Sequence, residues 1–196
     1  MHIPRQMSEF VRYFSGSKQT VEEADFAIFG LNGELKHFKK GECLIEQGLG
    51  APNIYFLTTG LVRYFSVSEE GKEFTQSFSS APGIAGSTRA MILGTEALFS
   101  IEVLDDVLCW QFEWQPFFNT MKGQPGFLEA YSRLMEQMFA NKEAREYYLL
   151  QKSAEQRYLE FVDEHPGLSE LVPLKVVASY IGITPIALSR IRKKLK

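Results

Sequence analysis

Residues 172–196 read VPLKVVASYIGITPIALSRIRKKLK, and within 173–196 stand Lys175, Arg190, Arg192, Lys193, Lys194 and Lys196 with no carboxylate. The whole chain carries a formal charge of −3, so positive charge is gathered at one end of an otherwise acidic protein. Residues 174–180 suit a short helix. Ile181-Gly182-Ile183 breaks it, because glycine enters the left-handed conformation of a tight turn without a Cβ penalty. Thr184 followed by Pro185 restarts it: the hydroxyl caps the helix, and proline's fixed φ suits a first position that needs no N–H. At about 100° per residue, Leu188, Ile191 and Leu195 share one face that can meet Val177, Ala178 and Ile183, while Ile186, Ser189, Arg190 and Lys193 face the other way. Two short helices joined by a Gly-containing turn, the second cationic on its outer face, form the pattern that places a helix in the DNA major groove. No acidic cluster for a metal and no nucleophile–base pair accompanies the cations, so the reading is a binding protein and not an enzyme.

Upstream, FLEAYSRLMEQMFANKEAREYYLLQ (127–151) contains neither Gly nor Pro. Its stripe of Phe127, Tyr131, Leu134, Met138, Asn141, Arg145 and Tyr148 recurs at 3.5-type spacing over about six turns, which predicts a long helix. A helix of that length leans on a partner. It packs on its own domain, or it forms a dimer seam in which Tyr131, Leu134, Met138, Asn141, Arg145 and Tyr148 meet a second copy and Asn141 fixes the register; the two can coexist. Ser153 with Gln156 has capping-box spacing and opens a further helix that Pro166 ends.

From 34 to 112 the grammar differs. Apolar runs of five to eight residues, rich in Phe, Tyr, Ile, Val and Leu, alternate with turn residues in FKKGECLIEQG, APNIYFLTTGLVRYFSVSEEGKEFTQSFSS, APGIAG and LFSIEVLDDVLCWQFEW. Such spacing predicts a β sandwich or barrel. Glu70-Gly71 and Asp105-Asp106 read as hairpin turns. Thr20 and Glu23 predict a short helix over 20–29.

With 196 residues the chain has room for one or two domains. Its start, MHIPRQMSEF, does not resemble a signal peptide, and no apolar run approaches the roughly 18 to 20 residues a membrane span needs; a cytoplasmic protein is expected. Cys43 and Cys109 cannot form a four-thiolate cluster, and His2, His37 and His165 lack metal-ligand spacing, so no metal or cofactor is expected. A cupin-type enzyme, which needs clustered histidines and carboxylates around a metal, has no such cluster here.

Taken together, FKKGECLIEQG, NIYFLTTGLVRYFSVSEEGKE and VASYIGITPIALSRIRKKL resemble the Crp/Fnr family of bacterial transcription regulators. The resemblance implies an α+β chain: an N-terminal double-stranded β-helix, or jelly roll, of the cyclic-nucleotide-binding type with an N-terminal helix (1–126), a long dimerisation helix (127–151), and a C-terminal helix-turn-helix (152–196) lacking a complete wing, since the family's β-hairpin wing would follow Lys196. The family's effector cassette is a Gly-Glu followed about ten residues later by an Arg that pairs with the cyclic phosphate. Here Gly86 matches, but Ser87 stands where the Glu is expected, and Ala97 and Leu98 stand where the Arg and its hydroxyl neighbour belong. A standard cyclic nucleotide is therefore not the expected effector. Gly86, Ser87, Thr88 and Arg89 remain as a candidate effector pocket for an anion. For DNA, Arg190 matches an arginine expected on a guanine edge, and Ile186 suits a thymine methyl. Pro185 occupies another reader's place; Lys175, Thr184, Ser189, Arg192, Lys193 and Lys194 complete the expected contact set, the last four on phosphates. The implied partners are double-stranded DNA, a second copy of the chain, and RNA polymerase, with no membrane. The alternative is a ligand-binding or interaction module that no longer reads DNA.

Overall fold

The computed structural model describes residues 33–124 and 127–195. The helix expected over 20–29, together with His2 and Lys196, lies outside them. The chain divides into two compact units, one of Met1–Tyr64 with Phe78–Glu136, the other of Phe65–Ser77 with Gln137–Lys196.

The first unit is built on an antiparallel sheet. Strands β1 (Glu34–Phe38), β2 (Cys43–Ile45), β3 (Asn53–Val67), β4 (Glu73–Ser80), β5 (Gly83–Gly86) and β6 (Ser100–Glu113) pair in the order β1-β6-β3-β4, with β2 also on β6 and β5 on β3. Register runs from Glu34↔Gln111 to Phe38↔Val107 and from Ile54↔Gly86 to Leu57↔Gly83. Successive strand residues point to opposite faces, and both faces of β3 are used. Tyr55 and Leu57 join Val62, Ala85, Ile101, Val103, Val107 and Cys109 in one core. Ile54 and Phe56 join Phe112, Trp114, Phe117, Met121 and Phe127 in a second. This double burial explains why residues 54–57, IYFL, read as an unbroken apolar run. The second core is aromatic: Phe56 meets Phe112 edge-on at 5.7 Å, and helix α2 (Trp114–Met121) supplies Trp114 and Phe117.

Asp105-Asp106 is not a turn, because β6 passes straight through it. The Asp106 carboxylate accepts from the Lys40 amide at 2.9 Å and from Lys39 Nζ at 2.8 Å. These bonds, that from Lys39 foremost, hold its carboxyl below the usual range. The turn residue thus serves the β1–β2 connection from a neighbouring strand. Opposite it, β3 bends at Gly60 (φ 88°). Thr58 Oγ1 donates to Leu108 O and Thr59 Oγ1 accepts from Leu108 N, carrying the ladder across the bend.

In the second unit the tip of the β3–β4 hairpin turns at Ser68–Lys72: Gly71 (φ 77°) donates to Ser68 O, and Ser68 N donates to Lys72 O. Helix α3 (Phe127–Gln151) begins in the first unit and ends in this one. Helix α4 (Ala154–Glu164) opens on the full Ser153–Gln156 capping box. Arg157 Nη1 donates back to the Leu149 and Lys152 carbonyls at the end of α3. After α5 (Leu168–Leu171) come α6 (Leu174–Ile181) and α7 (Pro185–Lys194), inclined at 93° across Gly182, which takes φ 78°. Thr184 caps α7 by accepting from the Ala187 amide at 3.2 Å, with Pro185 in the first turn. Phe161, Val177, Ala178, Ile181 and Leu188 are buried in this unit's core.

Candidate nucleic-acid interface and effector region

Leu188 fastens α7 to its unit at 0% exposure, and Ile191 is half-buried beside it. The outer face then carries Thr184, Pro185, Ile186, Ser189, Arg190 and Lys193, all exposed, with Ile186 67% open to solvent. An isoleucine so exposed at the start of a helix gains nothing from its own core. The last turn holds Arg192, Lys193 and Lys194, which also complement the helix dipole.

The cations expected on DNA separate into three groups. Arg190 and Lys193 are exposed and make no ion pair among the described residues. Lys194 Nζ lies 2.6 Å from Glu155 on α4, and Lys175 Nζ lies 3.5 Å from Glu73. Arg192 lines a groove of about 520 Å³ with Tyr158, Leu159, Val162, Asp163, Pro166 and Leu195. Sequence periodicity does not distinguish these fates, because the acidic partners lie far away in the chain.

At the effector region Gly86 ends β5 and Ser87 caps the six-residue helix α1 (Thr88–Leu93), accepting from the Ala90 amide at 3.4 Å. Ser87 is 1% exposed. Arg89 is exposed, and its Nη1 donates to Thr95 Oγ1 at 2.8 Å and to the Glu96 carbonyl at 3.2 Å. The hydroxyl is therefore committed to the cap and the guanidinium to the following loop, so these neighbours do not converge on one ligand position. Ala97 is buried and Leu98 exposed, and neither offers charge. No cluster of His, Cys, Asp and Glu among the described residues is arranged to hold a metal ion. No single helix among them is long and apolar enough to cross a membrane.

The α3 stripe is spent largely within the chain. Phe127 is 1% exposed, Tyr131 stacks on it at 6.1 Å and lies 5.7 Å from Trp114, and Leu134 packs on the same cluster. Farther along, Tyr148 is buried against Tyr180 at 6.1 Å, and Arg145 lies over the Tyr180 ring at 3.8 Å. Met138 and Asn141 are exposed, and Asn141 Oδ1 accepts from Gln137. A different line of α3 faces outward: Leu128, Met135, Phe139 and Leu150 lie within about 60° of one another at about 100° per residue. Phe139 and Leu150 are 73% and 71% exposed.

Three groups have roles that the sequence reading misses. Arg63 is buried in β3, with Nε 2.5 Å from Glu102 Oε2; a lone arginine inside an apolar strand is the available signal. Arg145 falls on the expected seam, yet it reaches the Tyr180 and Thr75 carbonyls. Ser179 bonds Glu73 and Thr75 at the start of β4, and nothing in its local sequence marks it.

Residues 35–124 match the cyclic nucleotide-binding domain family. No curated protein matches the sequence. Among solved structures, FixK2 from Bradyrhizobium japonicum superposes with TM-score 0.70 at 16% identity, covering 84% of this chain and 85% of that one. The c-di-GMP responsive global regulator CLP of Xanthomonas campestris gives 0.72 at 13%, covering 88% and 91%. TTHA1359, a CRP/FNR-family transcriptional regulator from Thermus thermophilus, gives 0.63 at 22%, covering 83% and 85%. The matched residues include the strands that carry both cores described above, and at these coverages the likeness extends well beyond the β-roll. The chain thus combines a cyclic nucleotide-binding-type β-roll with the overall fold of the Crp/Fnr transcription regulators.

Proposed function

We propose that this protein is a homodimeric DNA-binding transcription regulator in which α6 and α7 act as a helix-turn-helix and α7 enters the major groove. The observation that carries the reading is the outer face of α7: a helix locked by Leu188 presents Ile186, Ser189, Arg190 and Lys193 to solvent, with cations and no carboxylate on that face. Arg190 reads a guanine edge and Ile186 a thymine methyl. Ser189 and Lys193 hold phosphates. Lys175, Arg192 and Lys194 add long-range attraction, and Lys175 and Lys194 must exchange a carboxylate for a phosphate to make direct contact. The second copy joins along α3 through Leu128, Met135, Phe139 and Leu150, which sets two half-sites about one helical turn, roughly 34 Å, apart.

The effector of the roll is not a standard cyclic nucleotide. Ser87, Ala97 and Leu98 replace the expected anchors, Ser87 is committed to its cap, and Arg89 turns toward Thr95. RNA polymerase is the further partner such a regulator addresses.

Fluorescence anisotropy with labelled duplexes, its own upstream region and a scrambled control, tests this across a salt series. Expected are a steep loss of affinity with salt and a loss of about 1–3 kcal/mol for Arg190→Ala on one duplex alone. Equal weak binding to both duplexes, unaltered by Arg190→Ala, rejects sequence reading.

A further inference from the structure

Strand β4 lies at the end of the strand order, and an open sheet edge presents backbone groups to whatever is near. Glu73 and Thr75 are two apart, so their backbone groups point to the same side of the ribbon. Side chains of the helical segments meet them there. The Thr75 amide donates to Ser179 Oγ at 2.7 Å, and the Ser179 hydroxyl donates to Glu73 O at 3.1 Å with Thr75 Oγ1 at 3.0 Å. Arg145 Nη2 donates to Tyr180 O at 2.5 Å and to Thr75 O at 3.5 Å. Thr75 is 4% exposed. Every one of these contacts lies within the second unit.

We infer that Ser179 and Arg145 are positioning residues that latch the ribbon Phe65–Ser77 to α6 and thereby fix the seat of the helix proposed to read DNA. The latch is specific for register and depends little on ribbon sequence, because apart from the Thr75 hydroxyl it grips backbone groups. A slip of one residue would turn the Thr75 amide to the opposite edge and break the bonds from Ser179 and Arg145 to the ribbon at once. Such an element has two arrangements and no intermediate. The ribbon is continuous with β3 and β4, so a register change in those strands is felt at Ser179. From there it reaches α7 through Gly182 and the buried Leu188.

Arg145 also gives the latch a reason to open. Its guanidinium lies 3.8 Å from the Tyr180 ring centroid and 4.7 Å from that of Tyr148, while Nε and Nη1 are buried without hydrogen-bond partners. Stacking on rings compensates a cation in part. Buried donors without acceptors still penalise the closed form, and opening rehydrates them.

The inference rests on the DNA reading only for what the held helix does, and its first measurement needs no DNA. Amide hydrogen exchange on the full chain would compare wild type with Ser179→Ala, Ser179→Thr and Arg145→Lys. Ser179→Ala is expected to speed exchange of the Thr75 amide and of the 180–183 turn on the order of tenfold. The β6 amides should be unchanged, and Ser179→Thr should restore protection. Unchanged exchange at Thr75, or equal acceleration throughout the chain, overturns the latch. Duplex binding is measured in parallel. An altered affinity in Ser179→Ala that Ser179→Thr reverses supports positioning; altered exchange with wild-type affinity overturns it. Absence of duplex binding in every variant refutes the DNA reading and leaves exchange alone to judge the latch.

Discussion

Gly60→Ala should cost the β-roll much of its stability. At φ 88° an alanine occupies a left-handed region that L side chains enter at about 1–2 kcal/mol. The new methyl would also stand 2.4 Å from the Asp106 carbonyl oxygen and 2.7 Å from that of Asp105, and both are backbone atoms of β6. Relieving those contacts means moving β3 away from β6 and weakening the Thr58 and Thr59 bonds to Leu108, each worth about 1 kcal/mol net. The sum is about 3–4 kcal/mol, a large part of the roughly 5–15 kcal/mol typical of a folded protein. Gly41→Ala is the control: φ is 91°, but no atom lies within 4 Å of the added carbon, so only the conformational cost of about 1–2 kcal/mol remains. Urea unfolding followed by tryptophan fluorescence suits the comparison, because Trp110 and Trp114, the chain's two tryptophans, both lie in the first unit. A Gly60→Ala midpoint no lower than that of Gly41→Ala would refute the close approach of the two strands.

The other expectations are more local. Phe139→Glu with Leu150→Glu should weaken self-association at least about 100-fold, or roughly 3 kcal/mol, in sedimentation equilibrium, with the unfolding midpoint of the monomer unchanged; an unaltered dimer would place the seam elsewhere. Glu155→Gln releases Lys194 from its exposed ion pair and should steepen the salt slope of DNA binding by about one with a few-fold gain in affinity; an unchanged slope would mean that Lys194 never meets phosphate. Burial pushes the Cys109 thiol up to about 12. Its neutral form is favoured by folding, so the stability it contributes is complete below the unfolded value near about 8.5 and is lost as pH rises toward about 12. Between about pH 8 and 10, Cys109→Ala should therefore lose about 2 kcal/mol less stability than wild type; equal losses in urea titrations would refute this assignment.

Helix ends were legible because their chemistry is local. Ser153 with Gln156, Gly182, and Thr184 with Pro185 each satisfy or exempt backbone groups within a few residues. The β grammar of 34–112 was legible from turn spacing, with one misreading: Asp105-Asp106 carries a turn signature but lies within a strand, its carboxylate serving Lys40 across the sheet. Long-range choices left no such trace. Whether a helical cation meets solvent or Glu155, and which face of α3 its own aromatic cluster consumes, depends on residues distant in sequence. Ser179 is the extreme case, because it binds backbone 104 residues away and backbone carries no residue signature.

Ile186 has a consequence beyond the choice of operator. A hydrophobic reader of this kind recognises a C5-methyl group, and that group is the same on thymine as on 5-methylcytosine. If α7 enters the major groove as proposed, Ile186 in its first turn, 67% exposed, would therefore accept a methylated cytosine where it accepts thymine, and the occupancy of such sites would follow the methylation state of the genome as well as its sequence.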